Sequence, residues 1–241
     1  MKAIILCAGD GTRLRPLTNV TPKPLVELHG KTILERCMEA LPDSVDDVYL
    51  VVNPSKVQHF DVFVRTHEFP HTLYLATQST EMVGTWSALF SVREFIQPGE
   101  KFLVINGDDI FLKEDLEVFV TLPTPACGVF KKISDARYRT CDVDEATATI
   151  TQFRSQKPEE VGKPLLAFTG LYLLSDEFFE FSPVTCKEEF SIPDTVFHYY
   201  ERVGYYPVSS WHQINTLEDY EAVKGTLEAL EGGEDSFEEE I

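Results

Sequence analysis

The sequence predicts an α/β protein with three layers, α/β/α, built on a mixed, mainly parallel sheet that carries a small antiparallel extension. Three observations lead there. The apolar runs K-A-I-I-L-C, D-V-Y-L-V-V-N and K-F-L-V-I-N do not alternate with polar residues, so they read as strands buried on both faces. Segments of helical periodicity separate them, which implies right-handed crossovers and parallel pairing. From Ala126 to Leu174 the rhythm changes to strand-like segments with little helix between them, the expected antiparallel extension or lid. Together these describe a Rossmann-like arrangement.

Taken in order, K-A-I-I-L-C is the first strand, and it breaks into the turn A-G-D-G-T-R-L-R-P-L-T. Next, K-T-I-L-E-R-C-M-E-A-L places Ile33, Leu34, Cys37, Met38 and Leu41 on one helical stripe closed by Pro42. D-V-Y-L-V-V-N is the second strand, and Pro54 starts a helix to about Arg65. T-L-Y-L-A-T is the third strand, and a helix from about Thr85 to Ile96 turns Leu89, Val92 and Ile96 inward. K-F-L-V-I-N is the fourth. C-G-V-F-K-K-I, T-A-T-I-T-Q-F and L-L-A-F-T-G-L-Y-L-L form the extension. Pro193 fits the first turn of a helix reaching about Val203, and G-Y-Y-P-V-S-S-W leads into a last strand. Thr216 and Asp219 make a capping box for a closing helix with Leu217, Tyr220, Val223, Leu227 and Leu230 on its apolar stripe.

With 241 residues the chain can bury a full core, and one large domain suits it better than two small ones. That domain is expected at 1–230. Residues 231–241 hold Glu231, Glu234, Asp235, Glu238, Glu239 and Glu240 with no Lys or Arg, and read as an acidic, disordered tail. A net charge of −19 disfavours nucleic acid as a partner. No apolar run approaches the roughly 20 residues of a membrane span, and Arg13 and Arg15 follow too short an apolar segment for a signal peptide. A cytoplasmic protein without a membrane partner is expected, as a monomer or small homo-oligomer. Cys7, Cys37, Cys127, Cys141 and Cys186 are odd in number and scattered, which argues against a disulfide framework and a structural zinc site.

The opening turn is the centre of the functional reading. Gly9 and Gly11 can take backbone angles that other residues avoid, and they leave amide N–H groups uncovered. Arg13, Arg15 and Lys23 follow at once, so a strongly acidic protein has gathered three cations beside an amide-rich loop. That combination predicts a polyphosphate site. A dinucleotide fingerprint would need a glycine near Leu14 and an acidic residue where Asn53 stands, and a P-loop would need G-K-[ST], which is absent. I-N-G-D-D-I-F falls where the fourth strand ends, at the sheet edge where ligands bind. Asp108 there is a natural Mg²⁺ ligand, and Asp109 can cap the following turn. His67-Glu68-Phe69-Pro70-His71 spells H-E-x-x-H, but Pro70 breaks the helix that zinc binding by this motif requires.

L-C-A-G-D-G-T-R-L-R-P-L-T followed by P-K-P-L-V resembles the nucleotidyltransferases that activate sugar 1-phosphates, the nucleoside-diphosphate-sugar pyrophosphorylases. The resemblance continues through I-N-G-D-D-I-F, Q-K-P, A-F-T-G-L-Y and W-H-Q-I-N-T-L-E-D-Y, over about residues 1 to 230. It implies Mg²⁺ as cofactor and a loop of Leu6, Ala8, Gly9, Gly11 and Thr12 around the nucleotide phosphates. The arginine matching Arg13 grips the leaving pyrophosphate, and the lysine matching Lys23 contacts phosphate. Asp108 matches the metal ligand, and Gln213 stands where a second, stronger ligand is usual. The sugar-binding E-K-P is Gln156-Lys157-Pro158 here, with Lys157 implied on the sugar phosphate and Gly170 of A-F-T-G-L-Y in the same subsite. Arg139 replaces a glycine, so it either crowds that subsite or adds an anion contact. Gln78 with Gly84 and Thr85 resembles the segment that reads uracil or thymine, which favours UTP or dTTP. T-E-M-V-G-T-W-S-A-L-F also resembles the branch that makes CDP-activated phospho-alcohols. The expected partners are therefore a nucleoside triphosphate and a sugar 1-phosphate, or CTP and a phospho-alcohol such as phosphocholine. A nucleotide-binding regulatory module without turnover is the remaining alternative.

Overall fold

In the computed structural model, which describes residues 1–80, 82–133 and 137–234, the first apolar run is β1 (Lys2–Cys7). Its side chains alternate between two cores: Ala3, Ile5 and Cys7 pack in one apolar cluster and Ile4 in another, so neither face tolerates a polar residue. A hairpin of β2 (Glu27–Leu28) and β3 (Lys31–Thr32) leads into α1 (Ile33–Glu39). That helix starts on a reciprocal box, with Thr32 Oγ1 accepting from the Glu35 amide at 3.1 Å and the Glu35 carboxylate accepting from the Thr32 amide at 2.6 Å. Then come β4 (Asp47–Val52), α2 (Val57–Thr66), β5 (Thr72–Thr77), α3 (Thr85–Phe90), β6 (Lys101–Asn106), β7 (Asp109–Phe111) and α4 (Lys113–Phe119).

The second half contains β8 (Ala126–Ile133), β9 (Arg139–Asp144), β10 (Thr149–Ser155), β11 (Pro164–Ser175), β12 (Val184–Cys186) and β13 (Glu189–Ser191). It ends with α5 (Ile192–Tyr199), β14 (Val203–Pro207), β15 (Trp211–Gln213) and α6 (Leu217–Glu234). The main sheet runs β5-β4-β1-β6-β11-β8-β14-β10-β9. Residues of α1, α2 and α4 fill the cluster on one face, and residues of α3 and α5 fill the other. A third cluster joins Leu14, Leu28, Ile33 and Ile214 to Val223 of α6. None of the described helices is long and apolar enough to cross a membrane.

Several expectations are corrected here. The sheet is mixed but not mainly parallel: β5, β4, β1 and β6 pair in parallel, as do β8 and β14, whereas β6–β11, β11–β8, β14–β10 and β10–β9 are antiparallel. Nor is the antiparallel part a separate lid, because β11 lies between β6 and β8 and carries the sheet onward. β9 was not foreseen, since R-T-C-D-V-D lacks an apolar run. α3 stops at Phe90, and a 3₁₀ turn at Arg93–Phe95 takes over while Val92 and Ile96 stay buried. α5 stops at Tyr199 because Tyr200 turns to extended backbone, and Val203 opens β14. Leu217 is 38% exposed and falls outside the apolar stripe that Tyr220, Val223 and Leu227 form. The side chain of Leu230 lies outside the described residues, as does 235–241; α6 extends to Glu234, into the segment expected as tail.

Candidate active site

The two loop glycines serve different ends. Gly11 has φ 67°, the left-handed region, and a Cβ there would meet Lys23 Cβ at 3.0 Å and Thr18 Cγ2 at 3.1 Å. Its carbonyl accepts from the Leu14 amide at 3.0 Å and from the Thr18 hydroxyl at 2.7 Å, which closes the turn. Gly9 lies outside that region, and nothing stands within 4 Å of where its Cβ would be. Special backbone angles were expected of both glycines; Gly9 instead keeps space open. Leu14 is fully buried in the third cluster, which explains why no glycine stands there.

A cavity of about 490 Å³ lies beyond the loop, lined by Leu6, Ala8, Gly9, Gln78, Gly84 and Thr85 together with Asn53, Asn106 and Asp108. These residues stand at or beyond the carboxyl ends of β1, β4, β5 and β6. The chain leaves β1 toward β4 and β5 and returns to β6 on the other flank, so loops diverge at that point and open a crevice. The Gln78 amide nitrogen donates to the carbonyls of Met82 at 3.4 Å and Gly84 at 3.2 Å. A Cβ on Gly84, at φ 120°, would fall 2.2 Å from the Phe190 carbonyl oxygen, so glycine lets α3 begin against β13. A second cavity of about 420 Å³ shares Thr85, Asn106 and Glu189 with the first and is lined by Arg139, Gly170, Asp194 and Gln213.

Asp108 lines the first cavity and forms an ion pair with Lys23, their side chains 17% and 11% exposed. Lys23 Nζ also donates to Asn215 Oδ1 at 2.8 Å, and Arg13 Nη2 donates to the same oxygen at 3.1 Å. Gly107 permits this approach: a Cβ there would meet Cys7 Sγ at 2.7 Å and Pro24 Cγ at 3.2 Å. Asp109 is not a turn cap. It is fully buried at the start of β7, where it accepts from Asn106 Nδ2 and Trp211 Nε1, both at 2.9 Å. Burial pushes its carboxyl up, with Asp108 adding to the effect, while these two hydrogen bonds oppose it. Gly170, at φ 80°, makes the arrangement possible, because a Cβ would lie 2.1 Å from Asn106 Nδ2.

Of the residues singled out by sequence, the structure brings Leu6, Ala8, Gly9, Gln78, Gly84, Thr85 and Asp108 into one cavity. Gly170 and Gln213 fall in the adjoining one. Gln213 pairs with Asp109 across β15 and β7, while the next residue, Ile214, donates its amide to the Asp108 carbonyl at 3.1 Å. Gln156 and Lys157 line neither cavity: they follow β10 into a turn where the Lys157 amide donates to Glu160 at 2.7 Å, and Arg154 holds Glu160. Thr12 and Arg13 stand exposed on the 3₁₀ turn after the loop. α2 ends at Thr66, so the histidines of H-E-x-x-H part: His67 stacks on Phe63, and His71 is buried against the Val45 carbonyl at 2.7 Å. Sequence reasoning missed Asn215, and also Lys56, whose Nζ donates to the Asp10 carbonyl at 3.4 Å. The W-H-Q-I-N segment carries the signal for Asn215, two residues beyond Gln213.

Asn215 is anchored by Asp219, whose Oδ2 accepts from the Asn215 amide at 3.0 Å and the Thr216 amide at 2.9 Å, while Oδ1 accepts from Arg137 Nη1 at 2.9 Å. Burial alone would raise the Asp219 carboxyl; bonds from Arg137, Thr216 and Asn215 outweigh it and hold the group below its ordinary value. A depressed carboxylate stabilises the fold above its unfolded value, about 3.9, and that contribution is lost as pH falls through the folded value. Arg137→Met is therefore expected to lower the urea midpoint at pH 7, with the gap from the wild type closing below about pH 4. A gap that stays unchanged as pH falls from 7 through the folded value of the carboxyl would mean that Arg137 acts by packing.

The two cavities thus adjoin at Thr85, Asn106 and Glu189, and the first is lined by Asp108, whose carboxylate pairs with Lys23. Comparison with known proteins is specific: the nucleotidyl transferase family profile matches residues 2–228, and the chain belongs to that family. It is 34% identical to the bifunctional protein GlmU of Methanocaldococcus jannaschii over 82% of this chain and 46% of that protein. It is 32% identical to mannose-1-phosphate guanylyltransferase 1 of Arabidopsis thaliana over 78% of this chain and 55% of that protein. The chain thus spans about half the length of the curated relatives it matches. In fold it is similar to a putative glucose-1-phosphate thymidylyltransferase from Bacillus anthracis, with TM-score 0.76 and 22% identity over 94% of each chain. It is also similar to the inositol-1-phosphate CTP transferase from T. maritima, with TM-score 0.75 and 18% identity over 94% of this chain and 96% of that one.

Proposed function

We propose that the protein transfers a nucleoside monophosphate from a nucleoside triphosphate to a sugar 1-phosphate and releases pyrophosphate. The observation that carries this reading is a pair of adjoining cavities that share Thr85, Asn106 and Glu189, the first of them lined by Asp108, whose carboxylate pairs with Lys23. The triphosphate occupies the first cavity, with its phosphates on the loop at Ala8 to Thr12. The acceptor occupies the second, where Arg139 is the cation we place on its phosphate side; Lys157, assigned there by resemblance, would have to move to reach it. An acceptor phosphate oxygen attacks the α-phosphorus, a new P–O bond forms, and the bond to the β-phosphate bridging oxygen breaks. The attacking oxygen is already an anion, so no general base is needed, and catalysis reduces to positioning and charge stabilisation. Lys23, paired with the Asp108 carboxylate of the first cavity, holds phosphate, and Arg13 takes charge on the departing pyrophosphate.

The site fits Mg²⁺, which takes one or two carboxylates plus phosphate oxygens and keeps several waters. Asp108 offers that carboxylate at the cavity wall, and the neutral Gln213 carbonyl lies on the neighbouring chain segment. When bound, the ion would supply charge neutralisation across the phosphates. For the base, Gln78 and Gly84 favour UTP or dTTP. The resemblance of the 80–90 segment to the CTP branch, with the fold likeness to an inositol-1-phosphate CTP transferase, supports CTP with a phospho-alcohol as the second reading. We place the working domain at 1–230, acting in the cytoplasm as a monomer or small homo-oligomer. Pyrophosphate release measured over four triphosphates and a panel of sugar 1-phosphates and phospho-alcohols is the test. Release with UTP or dTTP and a sugar 1-phosphate is expected. Release with CTP and a phospho-alcohol alone would select the second reading, and binding without release for every pair would overturn both in favour of a regulatory module.

A further inference from the structure

Resting on the transfer reaction proposed above, we infer that Arg139 and Asp194 select the acceptor as a pair, admitting a phosphate ester that carries a hydroxyl or an amino group on the carbon beside the phosphate-bearing one. Both residues line the second cavity, where Arg139 Nη2 donates to Asp194 Oδ1 at 3.3 Å. That is longer than the roughly 2.7–2.9 Å of a strong charge-assisted bond. The guanidinium otherwise reaches only Cys186 Sγ, at 4.0 Å, among the described residues, and its Nε is buried without a partner, so most of its N–H donors are unspent. Of the two outcomes open to Arg139, crowding or an anion contact, the structure supports the second. Its guanidinium carbon lies 3.9 Å over the Phe153 ring, and Phe153 stacks on Phe197 at 4.5 Å. Phe153 does not line the cavity, so the cation is held at the wall.

Asp194 is fixed independently, in the first turn of α5. The Ser191 hydroxyl donates to Oδ2 at 2.5 Å, and the Asp194 amide donates to Ser191 Oγ at 3.2 Å. With 21% of its side chain exposed, the carboxylate keeps lone pairs for a ligand. A carboxylate beside a phosphate repels it. Its place in this cavity is favourable only where the ligand brings a donor to it along with the phosphate. Because the two charges are adjacent, phosphate on Arg139 and donor on Asp194 must be adjacent in the ligand too. A sugar 1-phosphate with a 2-hydroxyl or a 2-amino group meets that demand. Phosphocholine brings a cation to that place but no N–H or O–H, and a 2-deoxy sugar brings neither.

The test is pyrophosphate release at saturating UTP, dTTP or CTP with glucose 1-phosphate, mannose 1-phosphate, glucosamine 1-phosphate, 2-deoxyglucose 1-phosphate and phosphocholine. 2-Deoxyglucose 1-phosphate is the deoxy counterpart of the first three, so it isolates the group beside the phosphate-bearing carbon. The best of the three should exceed it at least about tenfold in kcat/KM. Asp194→Asn should bring that ratio below about threefold, chiefly by slowing the substrate that carries the donor. Arg139→Met keeps an apolar stem on Phe153 and should raise the acceptor KM about tenfold with the triphosphate KM within about twofold, and Arg139→Lys should recover part of the loss. The ratio compares two substrates on the same folded enzyme, so a loss of stability cannot mimic it. A ratio near one in the wild type, an unchanged ratio in Asp194→Asn, an acceptor KM unmoved in Arg139→Met, or a preference for phosphocholine would overturn the inference and leave the transfer reaction intact. Release with none of these pairs would overturn both.

Discussion

Asp108→Ala is expected to lower pyrophosphate release by roughly a hundredfold or more, the scale seen when one preorganised electrostatic partner of a developing charge is removed. The carboxylate lines the first cavity at the end of β6 and is paired to Lys23, so its loss removes the charged group that a divalent cation would use and frees the lysine toward Asn215 alone. A repelling carboxylate has also left the cavity. Triphosphate affinity in metal-free buffer should therefore rise in this variant, while the Mg²⁺ concentration needed for half-maximal rate should increase. A loss of rate without that shift in metal dependence would assign Asp108 to orienting Lys23, and a rate near wild type would sink the mechanism. Lys23→Ala should lose a comparable factor with the metal dependence unchanged.

Gly170→Ala is expected to destabilise the protein and the site together. The added Cβ would sit 2.1 Å from Asn106 Nδ2 and 3.4 Å from Asp109 Oδ2, at a backbone φ of 80° that costs a non-glycine residue about 1–2 kcal/mol. Overpacking adds about 1–3 kcal/mol, and pushing Asn106 aside strips the buried Asp109 of one of its two donors. A fall in Tm of roughly 6–12 °C is expected from a loss near 3 kcal/mol in a chain of this size. Activity should fall in the protein that remains folded, because Asn106 lines both cavities. Gly9→Ala is the contrast. With no left-handed φ and nothing within 4 Å, it should leave stability within about 0.5 kcal/mol while raising the KM for triphosphate, because the methyl group takes up cavity space. Equal thermal shifts in the two variants would contradict this division of roles.

Much of the first half was legible because its physics is local. A strand buried on both faces must be apolar throughout, so β1, β4 and β6 announce themselves, and the residue after such a strand stands at the sheet edge, which is how Asp108 was found. Thr216 with Asp219 was a readable cap because the partners lie three residues apart, whereas the box of Thr32 with Glu35, at the same spacing, was found only in the structure. The second half was harder to read. β9 pairs with β10 and β11 through backbone bonds that leave little mark on R-T-C-D-V-D.

By itself, the sequence determined the strands of the parallel half, the phosphate-suited loop, the carboxylate at the end of β6 and, through its long motifs, the family. Only the tertiary structure decided which groups meet there. Asn215 lies 202 positions from Arg13 and 192 from Lys23 yet binds both, and Asp109 became a buried anchor once Trp211 crossed to it. Gly170 needs its missing Cβ because of Asn106, a residue from another strand. Periodicity and spacing report how a segment relates to its own neighbours in the chain; a contact between strand ends far apart in sequence depends on sheet order and register, which no single segment contains.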